Sequence, residues 1–340
     1  MLRPGSIVLN CGDGTAQFGL DRRFAIRIGG FESNEIGWLQ EAARRDKPPV
    51  ALAPNYSIAE HRVSEIITTL RNAELLLTNP TPPKARTFII NEIAAPTCLA
   101  ELPALSSLRP DGNGHQTLLT RAQQTVAITS GCRIGAGLAL LLATAGVGRI
   151  IMLDTSPVAP TDLSPYRVTH LGASRLAALK KLVAAIAPAV SVSAEGTPDV
   201  VVSVEFGTQT SPYFGPLLAL ATPHLPIATQ EASAEVGPFV LPNRSACSHC
   251  LQLGRAQSDA SWPTIVASVA QQAAVGIEAT VACGAISVAG GQVLSYLDGA
   301  RPALLNRLAA ISAPDVLPRL TEIAPHPDCG CISLPDAMAG

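Results

Sequence analysis

An α/β fold, with a mostly parallel sheet covered by helices on its faces, is what this 340-residue sequence predicts. Three observations carry it. From Gln124 onward, short aliphatic runs alternate with alanine-rich helical stretches, the order that builds a parallel sheet. A glycine-bearing turn, "TSGCRIGAG" (129–137), stands between the first of these runs and its helix. Hydrophobic residues make up 47% of the chain and aromatic residues only 4%, which suits alanine-rich helices over aliphatic strands.

The chain opens differently. Residues 6–20 carry an Asp13-Gly14 turn signal between two short apolar runs. Phe24, Ile26 and Ile28 then alternate with Arg23, Ala25 and Arg27, the pattern of a half-buried strand. A helix follows from Ser33/Asn34 to about Arg45, with Ile36, Leu39 and Ala43 on one face. A second is expected to open at Ser57 with Glu60 three residues on, a capping box, and to carry Ala59, Val63, Ile66, Ile67 and Leu70 as its apolar stripe. Small strands and short amphipathic helices make residues 1–78 a winged-helix-like module. The prolines of "TNPTPP" (78–83) end it. Residues 79–123 read as a connector, with "RPDGNGH" (109–115) as a loop.

The α/β region spans 124–335. "TVAITS" is its first buried strand, "GAGLALLLATAG" a small-residue helix and "GRIIMLD" the next strand. A helix over 173–186 and the strand "DVVVSVEF" (199–206) continue the alternation. The uncharged runs 260–277 and 279–297 approach a membrane span in length, but Pro263, Gln271, Gln272, Gly290, Gly291 and Gln292 interrupt them. They read as helix and strand of a soluble protein. A net charge of −2 with 15% charged residues advertises no face for nucleic acid. Eight cysteines without a secretory signal point to a reducing, cytoplasmic setting.

The glycine turn lies where a Rossmann-like fold cradles phosphate on backbone amides at a helix start. Standard spacing places glycines at 130, 132 and 135; this chain has Ser130, Cys132 and Gly135 there, with Gly131 and Gly137 off register. Asp154 closes the second strand, where an acid can accept hydrogen bonds from ribose hydroxyls. Read alone, the turn fits a live nucleotide site or a scaffold that has lost one.

Two close cysteine pairs come late: Cys247 and Cys250 as C-x-x-C, Cys329 and Cys331 as C-x-C. Four thiolates are the donor set of a closed, structural zinc site, which would staple the tail to a loop after the sheet. The alternative is a set of unrelated buried thiols. His249 reads as an exposed loop residue, and Cys11, Cys98 and Cys283 as small buried hydrophobes.

Glycine turn, acid, C-x-x-C and terminal cysteine pair, in this order, resemble the ThiF/MoeB family, relatives of the ubiquitin-activating enzymes. "LLATAGVGRIIMLDTSPVAPTDLSP" (141–165) looks like that family's segment from first helix to ribose acid. "VGPFVLPNRSACSHCLQL" and "HPDCGC" look like the branch associated with bacterial, azole-type peptide modification. The resemblance covers residues 124–331; over 1–78 it is architectural only. It implies a Rossmann-like sheet that binds ATP and Mg²⁺, a four-cysteine zinc site and a homodimer. The activity it implies is adenylation of the C-terminal carboxylate of a small carrier protein or peptide. In this branch an N-terminal winged-helix module binds a leader peptide.

Carried over position by position, the resemblance makes Gly131 and Gly135 the cofactor turn and Asp154 the ribose acid. Arg167 would stand among the phosphate ligands, Arg175 would replace the family's lysine, and Glu205 would replace its magnesium-associated aspartate. The family's asparagine after the acid is missing. These departures fall on one activity and favour a degenerate adenylation site. The reading is a protein that binds a peptide or small carrier protein and presents it to a partner modifying enzyme. The alternative is an active adenylyltransferase that uses Asp154, Arg167, Arg175 and Glu205. A nicotinamide-dependent oxidoreductase is weaker, because it leaves the cysteine pairs without a role.

Overall fold

The computed structural model describes residues 1–77 and 96–332, in two compact units, Met1–Leu119 and Thr120–Gly340. The "TNPTPP" stop at 78–83 lies outside the described residues.

In the first unit, β1 (Val8–Asn10), β2 (Ala16–Phe18) and β3 (Ile26–Ile28) form an antiparallel sheet in that spatial order. Asp13 and Gly14 both take positive φ, 48° and 67°, which lets the chain reverse tightly between β1 and β2. Helix α1 (Ser33–Arg44) packs Ile36, Trp38 and Leu39 onto this sheet's core. Its start carries a capping box between Glu32 and Glu35.

The second box, expected at Ser57 and Glu60, does not form. A four-residue helix α2 (Pro49–Leu52) and a 3-10 turn at Ala53–Tyr56 run into Ser57, which sits in the left-handed region at φ 53°. A helix N-cap needs extended backbone, so α3 (Glu60–Asn72) starts instead behind Ala59. Ile66 and Leu70 of the expected stripe are buried. The described part of the connector is also more regular than its composition suggested. It holds a 3-10 turn at Pro96–Glu101, α4 (Leu102–Leu108) and α5 (Gly114–Arg121).

The second unit is built on an eight-stranded sheet with the order β11-β10-β9-β8-β7-β4-β5-β6. The parallel part comprises β4 (Thr125–Ile128), β5 (Arg149–Met152), β6 (Ser191–Ser193), β7 (Val200–Phe206) and β8 (His224–Thr229). Val126, Ile128, Ile150, Val200 and Val202 are fully buried, as strands covered on both faces require. An antiparallel extension of β9 (Ser233–Val236), β10 (Arg307–Ser312) and β11 (Arg319–Glu322) completes the sheet.

Helices α6 (Arg133–Thr144), α7 (Arg175–Ile186), α8 (Phe214–Ala219), α9 (Ser248–Ser258), α10 (Trp262–Val269) and α11 (Ala279–Leu297) accompany the strands. The run 279–297 is thus one continuous helix, packed against α6. It is long and apolar enough to cross a membrane by those two criteria. Its glycines serve close packing. A Cβ on Gly290 would meet Leu141 at 2.6 Å, and one on Gly137 would meet Ile286 at 2.5 Å. Gly137 is therefore a helix-contact residue.

Candidate functional site

From β4 the chain moves to β5 and β6 on one side, then returns to β7 and β8 on the other. Ligands of open α/β sheets bind in the crevice this reversal creates beyond the strand carboxyl ends. Here the crevice is a cavity of about 380 Å³ lined by Thr129, Ser130, Glu205, Phe206, Thr210 and Ser211.

The turn after β4 folds tightly because Gly135 has no side chain. A Cβ there would lie 1.8 Å from the Ser130 carbonyl oxygen. Its amides are already engaged. The Gly131 N–H donates to Asp154 Oδ2 at 2.8 Å, and the Cys132 N–H to Ser130 Oγ at 3.4 Å. Asp154 stands two residues beyond the end of β5. Its Oδ1 accepts from the Ser156 N–H at 2.9 Å and from the Ser156 hydroxyl.

Arg175, the first residue of α7, reaches back over this turn. Its Nη1 donates to Asp154 Oδ2 at 2.7 Å, while Nε and Nη2 donate to Asp162 Oδ2 at 3.0 and 2.7 Å. Asp162 is almost wholly buried and also accepts the Ala159 N–H at 2.8 Å. Arg133 is committed as well, through the carbonyls of Leu163 and Ile277, both at 2.9 Å. Arg167 lies exposed on the loop before α7, and its backbone N–H donates to His170 Nδ1.

The structure thus ties Gly131, Asp154 and Arg175 into one network, beside the turn that Gly135 allows to close, while Arg167 is exposed. Asp162 was missed in the sequence. It sits inside the quoted 141–165 segment, and its place two residues after Pro160, as third residue of a proline-initiated 3-10 turn, was the available signal.

Electrostatics divide the two carboxylates. Burial alone would raise the Asp154 pKa, but hydrogen bonds from Ser156, Gly131 and Arg175 outweigh it and hold the carboxyl below its ordinary 3.8. Its contribution to stability is complete above that value and fades as pH falls through the lowered one. Glu205 behaves oppositely. Burial raises its pKa above 4.5, against a hydrogen bond from the Thr210 N–H at 2.9 Å, and its Oε1 is buried without a partner. The folded chain therefore holds the Glu205 proton more tightly than the unfolded chain, and this term weakens stability as pH rises from 4.5. Urea unfolding should show the Glu205→Gln variant gaining on the native chain as pH rises through that window. A stability difference that ignores pH would contradict this.

The cysteines form the second centre. Cys247 caps the start of α9, Cys250 lies in its first turn, and Gly330 at φ 67° turns Cys329 and Cys331 toward them. The four sulfurs lie within 4.8 Å of one another, with 3.4 Å for Cys247–Cys329 and for Cys250–Cys331 and 3.9 Å for Cys247–Cys250. Tetrahedral thiolates around zinc stand roughly 3.8 Å apart, given Zn–S bonds of about 2.3 Å, so the donor set fits a four-coordinate ion. The His326 N–H donates to Cys250 Sγ at 3.3 Å, a bond suited to a thiolate. His249 is exposed, though on the first turn of α9 and not in a loop. Of the three cysteines read as buried hydrophobes, only Cys98 is buried; Cys11 and Cys283 are exposed.

No family model and no curated protein matches the sequence. Solved structures do match. The chain is similar to E. coli MccB with ATP at 16% identity, covering 98% of this chain and 99% of that one, with a TM-score of 0.65. The microcin C7 biosynthetic enzyme MccB in complex with N-formylated MccA aligns at 15% identity over 98% and 99%, with a TM-score of 0.66. PaaA aligns at 16% identity over 94% and 98%, with a TM-score of 0.69. Over nearly its whole length the chain therefore has the fold of MccB and PaaA, as its resemblance to the ThiF/MoeB family implied.

Proposed function

We propose that this chain binds a peptide and presents it to a partner modifying enzyme, with its own nucleotide pocket closed from within. The observation that carries the reading is the state of Asp154, whose oxygens accept from Gly131, Ser156 and Arg175 and leave no lone pair for a ribose. The Ser130 and Cys132 side chains add to this, since they stand where phosphate needs bare backbone. The peptide role is supported by the likeness to MccB structures that contain MccA, formylated or not.

In this reading residues 1–78 are a winged-helix-like peptide-binding module, 79–123 a connector and 124–335 the presenting domain. β3 is an edge strand that an extended peptide can pair with. A groove of about 620 Å³ in the first unit, lined by Ile7, Leu20, Phe24 and Leu108 among others, offers pockets for apolar side chains. The four cysteines hold a structural zinc ion, and the protein is a cytoplasmic homodimer. A small carrier protein in place of the peptide would use the same edge.

One observation favours a second reading, ATP- and Mg²⁺-dependent adenylyl transfer: the likeness to MccB bound to ATP spans 98% of the chain. Glu205, at the crevice, would then approach the metal, with Arg167 and Arg175 on the phosphates. When bound, the nucleotide would supply the adenylyl group for the carboxylate, with pyrophosphate as the leaving group. The tied-up state of Arg175 speaks against this arrangement.

The peptide role is tested by selecting binders to the intact chain from a random-peptide display library. Leu20→Glu and Phe24→Glu, both at exposed positions, should weaken the selected peptides at least tenfold without changing the unfolding temperature. Binders indifferent to both changes, or no binders at all, would sink the module's assignment.

A further inference from the structure

Resting on the closed-pocket reading above, we propose that Arg175 is the specificity-determining residue at the Asp154 ribose position, which adjoins the cavity at the turn after β4. Its guanidinium takes the place at Asp154 that a ribose hydroxyl would need. The pocket then rejects nucleosides whatever residues form the phosphate turn.

The geometry is specific to arginine. One planar fork spans two carboxylates, with Nη1 on Asp154 and Nε and Nη2 on Asp162. An ammonium on a flexible stem cannot bridge both at once in this way. The stem is fixed too. A Cβ on Gly131 would come within 2.9 Å of Arg175 Cβ and 3.1 Å of its Cδ, so the side chain lies directly on the turn. Nη1 also donates to Ser156 Oγ at 3.0 Å, which adds a third attachment on the Asp154 side.

Asp162 is the anchor. Its side chain is 3% exposed against 13% for Asp154, and its oxygen collects both remaining guanidinium bonds. The carboxylate itself is held by the 3-10 turn Pro160–Asp162 through the Ala159 amide. Removing the Asp162 charge alone would leave Arg175 paired with Asp154 and the pocket still shut. Removing Arg175 alone would strand a buried carboxylate. Only the paired change both opens Asp154 and leaves no uncompensated charge at residue 162.

Adenosine and 2′,3′-dideoxyadenosine separate this role from the phosphate turn, since neither carries phosphate and they differ only in ribose hydroxyls. Both are titrated into the intact native chain, the D162N variant and the R175M/D162N double variant, with binding followed by NMR shifts. The native chain and D162N should not distinguish the two nucleosides. The double variant should bind adenosine about tenfold more tightly than the dideoxy compound, the size expected for a hydrogen bond to a charged group. If R175M/D162N fails to fold, R175A/D162N carries the same comparison. A double variant without preference, or a native chain that already prefers adenosine, would overturn the proposal. A double variant without preference overturns the role of Arg175 alone, whereas a native chain that prefers adenosine overturns the closed pocket with it, so the two failures are distinguishable.

Discussion

Replacing Cys331 with serine should release a zinc ion from the chain and free the tail that carries Cys329. The four sulfurs stand at separations close to those of a tetrahedral site, three of them on buried residues. The tail around them makes few other attachments of comparable strength. β11 is exposed along its length, and beyond it Ala324, Pro325, Pro327 and Asp328 are exposed as well. Binding energy at such a site is folding energy for the segment it closes, on the order of 10 kcal/mol for metal-dependent modules. A hydroxyl in place of one thiolate breaks the donor set, so affinity should drop by several orders of magnitude.

Without an ion, burial pushes the Cys329 thiol up to about 12 and Cys331 higher still, so these sulfurs would be neutral and only weakly attractive to one another. Metal analysis of protein purified without added zinc should return one ion per native chain and none for Cys331→Ser. Limited proteolysis should then cut the variant's tail and spare the native one. Equal metal content in the two proteins would contradict the assignment.

The parallel core was legible in the sequence because it is written locally. "TVAITS", "GRIIMLD" and "DVVVSVEF" are aliphatic runs of strand length, and the helices between them carry their own periodicity. The structure places strands at Thr125–Ile128, Arg149–Met152 and Val200–Phe206. The antiparallel extension was not legible. β11 buries no side chain, and β9 alternates Ser, Ala, Glu and Val over only four residues, a run too short to stand out as a pattern.

Local signals misled where two of them competed. Ser57 followed by Glu60 satisfies the capping-box spacing, yet Pro49 and Pro54 start short helical turns just upstream and carry Ser57 into a left-handed conformation. The true box at Glu32 and Glu35 uses an acidic first residue in place of serine or threonine. Of the crevice, Gly135 and Asp154 were visible as a motif. The ion-paired triad beside it was not, because Asp154, Asp162 and Arg175 meet only through the folded loop between β5 and α7. Ion pairs separated by 13 and 21 residues leave no periodic trace in a sequence.

In the proposed reading, the chain's own side chains close the ribose position at Asp154 to nucleotides. The consequence is large on the scale of nucleotide-binding proteins. Arg175, the Gly131 amide and Ser156 together saturate the acid, Ser130 caps the next amide, and Arg133 is spent on backbone carbonyls. A triphosphate would have to break these bonds before making its own, and of Arg133, Arg167 and Arg175 only Arg167 is exposed. Titration calorimetry of the intact chain with ATP, with and without Mg²⁺, tests this most directly. The account predicts no binding heat even at millimolar ATP, with or without the metal. Saturable binding in the micromolar range, strengthened by Mg²⁺, would contradict it and make adenylyl transfer the better reading.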